Sequence, residues 1–256
     1  MRATAVRRTA LAASAAALAL LAAACGGSES TDTDDAAKPG AKDDAKTAVK
    51  ALTSAELEKV SLEQGDVAAH KITKTGPEDI AEAGDVVVDK KECEPIGHAF
   101  YGVKRGTPVG NAGRKAVSEP KKPTSASKDA LAGALDATSS LVTLASYEGD
   151  GAAKSIAELR ESAAKCATGG FTLTMKDSKQ KVVKLTEEKV TGGEEAVAWT
   201  VLMGEADSLV PFKLVTLRQG GTVATVFAFN LSAFGGEAPD FDMPTEVVDA
   251  QVKKLG

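Results

Sequence analysis

The chain is short of the residues that usually carry chemistry. Its 256 residues include 2 histidines and 3 cysteines. His70 and His98 are a thin supply of general bases, and no Gly-x-Ser-x-Gly elbow marks a hydrolase nucleophile. A structural zinc site wants four ligands, and Cys93, His98 and Cys166 would have to recruit the distant His70 as the fourth. The expectation is therefore no catalytic constellation, no metal and no cofactor. Basic residues are also in deficit, with 31 Lys and Arg against 36 Asp and Glu and a net charge of -5. An acidic chain without a basic stripe argues against nucleic acid as a partner. It would equally be repelled by an anionic membrane surface. Long apolar runs are missing too. Only residues 10–24, nearly all Ala and Leu, approach one, and they fall short of the roughly 20 residues a spanning helix needs.

That run follows Arg7 and Arg8 and ends in small residues, the layout of a secretory leader. Losing the leader's three arginines takes the net charge to about -8. The stretch "LALLAAACGGSES" carries the pattern to Cys25 and then at once into glycine and serine. It resembles the lipobox of bacterial lipoproteins, with Ala22 to Ala24 before the cysteine. The leucine that the family usually places three before the cysteine is Ala22 here, with Leu21 one step earlier. The resemblance implies a signal peptide over 1–24 and Cys25 as the acylated (palmitate-bearing) mature N-terminus. It also implies attachment to the outer face of the cell membrane through that lipid. Residues 26–50 contain no aromatic residue and almost no large aliphatic one, so they cannot bury enough surface to order themselves. As a coil they would span roughly 25–30 Å, a tether that holds a domain at 51–256 off the membrane.

The domain opens with a helix. Thr53 and Glu56 have capping-box spacing, ahead of Leu57 and Val60 on one face. Short strands are expected at 66–73 and 86–88, and "KECEPIGHAFYG" reads as a short helix presenting Ile96 and Phe100 to a core. Residues 102–129 are rich in Gly, Pro, Ser and Lys and read as a long solvated loop, the one basic patch in the chain. Strand 140–148 then leads through Gly149-Asp150-Gly151 into an amphipathic helix, with Ile156, Leu159, Ala163 and Cys166 on one face. Gly149-x-Gly151 is not a phosphate loop. A dinucleotide fingerprint needs a small residue where Lys154 stands, and a nucleoside-triphosphate loop needs glycine at Glu148 and Ala153.

Strands follow at 171–175, 181–186, 195–203, 210–218 and 222–231, the last two joined by a Gly220-Gly221 hairpin signal. In 195–203, Val197, Trp199, Val201 and Met203 share one face. The small residues Ala196, Ala198 and Thr200 share the other, which suggests close packing there. A helix in "PTEVVDAQVKKLG" closes the chain. Strands joined by short turns, with helices before and after, predict an α+β fold: an antiparallel meander with helices packed on one face.

With Cys25 set aside, Cys93 and Cys166 remain. An oxidising compartment favours a disulfide between them; two free core thiols are the alternative. The stretches "LVTLASYEGDGAAKSIAELRESAAKC", "GGEEAVAWTVLM" and "LVTLRQGGTVATVFAFNL" resemble those of actinobacterial secreted lipoproteins. More distantly they resemble the extracellular sensor domains of mycobacterial serine/threonine kinases of the PknH type. The resemblance implies an antiparallel sheet with flanking helices, disulfide pinning and a ligand-binding cleft. It implies a non-enzymatic domain for a small-molecule or cell-envelope ligand. The kinase sensor domains carry two disulfides where this chain has cysteines for one. The alternative is a lipid carrier, with Phe227, Phe229, Leu231 and Phe234 lining an apolar cavity between sheet and helices.

Overall fold

The computed structural model describes residues 49–120, 136–205, 208–235 and 240–256. Cys25, the expected leader and most of the expected tether lie outside them. Among the described residues nine strands form one sheet in the order β1-β3-β4-β9-β8-β7-β6-β5-β2, every neighbouring pair antiparallel. The strands are β1 (His70–Lys74), β2 (Val86–Val88), β3 (Gly110–Ser118), β4 (Thr138–Ser146), β5 (Phe171–Met175), β6 (Ser178–Glu188), β7 (Glu195–Glu205), β8 (Ser208–Gln219) and β9 (Thr222–Asn230). Four α-helices accompany them: α1 (Ser54–Lys59), α2 (Glu94–Phe100), α3 (Gly151–Lys165) and α4 (Thr245–Leu255).

The α+β class and the antiparallel meander of β5 to β9 are as the strand spacing predicts. The helices, expected on one face, are divided between two. Val197, Trp199, Val201 and Met203 of β7 join Ile156, Leu159, Ile96 and Phe100 in one core, beneath α2 and α3. Ala198, Val215, Leu217, Ala224 and Val226 join Leu57, Val247 and Val248 in a second core, beneath α1 and α4. Alternate residues of one strand point to opposite faces, so a strand apolar on both faces must be covered twice. The small side chains of Ala196 and Ala198 belong to the α4 side, where the helix can approach closely.

Two other expectations change. The first strand starts at His70, because Ala69 takes φ +53 and turns the chain just before it. The stretch 110–118, expected within a long loop, is β3, paired on both sides by β1 and β4. Its glycines look like loop residues but serve close approach. A Cβ at Gly110 would lie 2.4 Å from the backbone nitrogen of Ser54, and one at Gly113 would lie 2.4 Å from Thr75 Oγ1. Two ladders of hydrogen bonds then outweigh the poor strand propensity of the segment. Residues 102–109 of the expected loop are irregular, as expected, and 121–129 lie outside the described residues.

Charges clamp the first helix to the sheet. With six residues, α1 is too short to persist alone. Its Thr53–Glu56 capping box is formed as predicted, and Leu57 is buried beneath it. Arg114 of β3, only 8 % exposed, reaches up from below. It donates to the carbonyl of Leu62 at 2.8 Å and to Glu58 Oε2 at 2.9 Å. Lys74 holds the other Glu58 oxygen at 3.0 Å.

Burial works to raise the Glu58 carboxyl, but hydrogen bonds from Lys74 and Arg114 prevail and hold it below the ordinary carboxylate range. Asp79 shows the same contest, with burial opposed by Lys115 and the Gly76 N–H. Asp66 is lowered chiefly by the Glu63 N–H. A carboxyl whose folded pKa is depressed stabilises the fold above its unfolded pKa, and that contribution disappears as pH falls through the folded value. Melting temperature should therefore be level from pH 7 to about 5 and fall progressively below about 4.5. Glu58→Gln should flatten part of that fall. A melting temperature that stays level down to pH 3 would show that these pairs contribute nothing.

Candidate functional site

Cys93 and Cys166 form a disulfide, with Cα atoms 5.8 Å apart and 73 residues between them in sequence. It joins the turn before α2 to the end of α3. Ser162 reinforces the joint: its hydroxyl donates to the Glu92 carbonyl at 2.7 Å and accepts from the Ile96 N–H at 3.3 Å. Neither sulfur is thereby free as a nucleophile or a metal ligand. His98 lies beneath this joint, 8 % exposed, with Nε2 3.8 Å from Glu94 Oε1. His70 belongs to the opposite face of the sheet, so Cys93, His98, Cys166 and His70 do not converge. Gly149, at φ +57, turns the chain into α3, and Asp150 makes no side-chain cap. Of the proposed apolar cavity, Phe227 is packed between Phe100 and Phe212, with ring centroids 5.3 and 5.4 Å apart. These rings fill the layer between sheet and helices, and the Phe234 side chain is outside the described residues.

A different place is open. Antiparallel pairing brings the start of β1, the end of β3, the start of β4 and the end of β9 to one end of the sheet, with His70 opposite Ser118 and Thr138 opposite Asn230. The alternation along each strand turns these four side chains, with Ser140, to the face that carries α1 and α4. There they floor a cleft of about 610 Å³. The segment 240–247, leading into α4, forms its far wall, with Phe241, Met243 and Val247 supplying apolar surface.

The polar groups of the cleft are held in place. Asn230 donates to Asp136 Oδ1 at 2.9 Å while its own oxygen accepts from the Ser232 hydroxyl at 2.6 Å. The Thr138 N–H donates to Ser118 Oγ at 2.8 Å. His70 Nδ1 is 2.8 Å from the carbonyl of Ala68. A carbonyl only accepts, so Nδ1 is the donor in this contact. Ala69, at φ +53, is one of two non-glycine residues in the left-handed region among those described, and it lines this cleft.

Beside the cleft a buried lysine secures the far wall. Lys213 of β8, 5 % exposed, donates to Asp240 Oδ1 at 2.9 Å and to Thr200 Oγ1 at 3.1 Å. Thr200 in turn donates to Glu188 at 2.7 Å. The ammonium lies 5.4 Å from the centre of the Phe241 ring, within cation–π range. The hydrogen bond from Lys213 holds the Asp240 carboxyl below its ordinary range, against a smaller effect of burial.

Of these residues the sequence singled out only His70, as a candidate base or zinc ligand and not as part of a cleft. The residues lining the cleft come from five separated stretches, and no motif spacing links them; the Ala69 backbone strain is visible only in the folded chain.

Sheet, two-sided helical cover and end cleft together define a single-sheet α+β domain with a small-molecule-sized recess. No protein-family model matches the chain, and no curated protein matches it. Among solved structures, the extracellular domain of PknH from Mycobacterium tuberculosis is similar at a TM-score of 0.47 and 11% identity, over 81% of this chain and 96% of that one. It is a distant resemblance. No helix among the described residues is long and apolar enough to cross a membrane.

Proposed function

We propose that the chain is a lipid-anchored extracytoplasmic binding protein. Cys25 carries the acyl group and residues 26–50 form the tether. The sheet domain takes a small molecule or a cell-envelope ligand in its end cleft, without catalysing a reaction. The observation that supports binding is the cleft itself. Its volume of about 610 Å³ falls in the range of small-ligand sites, roughly 300–1,000 Å³, and it combines apolar surface with a few oriented polar groups. A binding rather than a catalytic role is supported by the histidines. His70 shares the cleft with hydroxyls that none of its contacts activates, and His98 is buried on the other face.

The binding half is tested on the purified chain by thermal shift against fractionated cell-wall and lipid extracts. A fraction containing the ligand should raise the melting temperature, and Thr138→Trp, which fills the floor of the cleft, should abolish the rise. If no fraction moves the wild type and mass spectrometry finds nothing bound, the cleft is not a ligand site. The anchoring half is tested separately. Cys25→Ser should release the protein into the medium or leave it as an uncleaved precursor. A variant still processed and still membrane-bound would show that Cys25 is not the attachment point.

A further inference from the structure

On the other face of the sheet, Arg105 is a half-buried cation that pairs with no carboxylate among the described residues. Its Nη2 donates to Ser155 Oγ of α3 at 2.9 Å, and its backbone carbonyl accepts from the Tyr147 hydroxyl at 2.9 Å. Its Nη1 is sealed from solvent and has no hydrogen-bond partner. The other unpartnered buried atoms differ in kind. Arg218 Nε has a Glu195 oxygen at 3.6 Å and His98 Nε2 a Glu94 oxygen at 3.8 Å, while Gln251 Oε1 is a neutral acceptor. No carboxylate among the described residues pairs with Arg105; Glu158, the acid that bears on it electrostatically, makes no ion pair with it. Burial pulls the guanidinium below its ordinary pKa.

Arg105 also lines a partly open pocket of about 30 Å³, with Lys104, Asn111, Thr143, Tyr147 and Thr225 among its neighbours. None of the described lining residues is Asp or Glu. The polar part of the lining is Arg105, the exposed Lys104, Asn111 and two threonines, set among apolar side chains and without an acidic residue. The first turn of α3 is adjacent, since a Cβ at Gly151 would lie 2.8 Å from Tyr147 Cβ. The free N–H groups of that helix end add positive potential of the same sign. A buried donor without a partner marks an unseen water or ion, and a buried unpaired charge is strongly disfavoured without a counter-charge. Space for roughly two waters suits a monatomic anion.

We propose that this cavity is a site for one halide ion, chloride being the abundant one, held by Arg105 between the sheet and α3. The site is separate from the cleft and stands whether or not the cleft binds a ligand. The test is the melting temperature of the purified chain in sodium chloride or bromide against sodium gluconate at equal ionic strength. The wild type should gain about 2–5 °C in halide, saturably, relative to Arg105→Gln in the same salts. Generic salt effects act on both proteins alike, so the difference isolates the site. Tyr147→Phe keeps the guanidinium and loosens its backbone; it should raise the halide midpoint several-fold, and it carries the test if Arg105→Gln does not fold. In crystals grown with bromide, an anomalous peak should appear in the cavity. Wild type and Arg105→Gln responding identically, Tyr147→Phe keeping the wild-type midpoint, or a cavity holding only water would overturn the proposal.

Discussion

Replacing both Cys93 and Cys166 with alanine is expected to lower the unfolding free energy by about 4 kcal/mol. The bond closes a separation of 73 residues. Loop-closure entropy removed from the unfolded chain grows with the logarithm of that length, which places this bridge near the upper end of single disulfides. The native side of the balance also favours the bond. Both cysteines are 1 % exposed, and Ser162 already fixes the two segments by two hydrogen bonds, so the bridge joins segments that are already aligned. The melting temperature should drop by on the order of 10 °C in a domain of this size. Each single variant, Cys93→Ala or Cys166→Ala, should lose nearly as much as the double, because one bond disappears in all three. Losses that simply add between the two positions would show that the sulfurs act independently. A melting temperature unchanged in the double variant would remove the bridge as a stabilising element.

Arg114→Ala is expected to cost about 2–3 kcal/mol, mostly from the buried Leu62 carbonyl left without its donor, with a smaller share from the half-exposed pair to Glu58. The guanidinium reaches the Leu62 carbonyl, the Gly113 carbonyl and Glu58 together. Its loss leaves the carbonyl of the fully buried Leu62 without its donor. It also leaves Glu58 with Lys74 alone, a pair whose lysine side chain is 67% exposed and contributes little. The consequence should be local as well as global. Hydrogen exchange should speed up first across α1 and the turn after it, because the capping box by itself is an exposed and weak restraint. Arg114→Lys should recover only part of the loss, since one ammonium cannot span the contacts of a planar fork. Exchange rates over 54–62 that match the wild type in Arg114→Ala would sink the idea of a clamp.

These two sites differ in how visible they were beforehand. Cys93 and Cys166 could be paired by counting, once Cys25 was assigned to the lipid. Arg114 could not be found at all. In sequence it stands in "VGNAGRKAVSEPKK", which reads as a basic solvated loop, and its side chain is buried only because that segment is an inner strand of the sheet. Glycine tells a turn from a close approach only when the approaching neighbour is known. Gly220-Gly221 was legible as a hairpin because both flanking strands are nearby in sequence. Gly110 and Gly113 were not, because their neighbours at 52–54 and 75–80 arrive from remote segments.

The same division holds for the cleft. Periodicity along the chain determined the α+β class, the meander from β5 to β9, the inward face of α3 and the capping of α1, because each depends on residues within a few positions of one another. Tertiary structure alone decided that helices cover both faces of the sheet, that four strand ends meet at His70, Ser118, Thr138 and Asn230, and that Arg105 pairs with no carboxylate among the described residues. Those features depend on which remote segments become neighbours, and strand order is set by the packing of the whole sheet rather than by any local pattern.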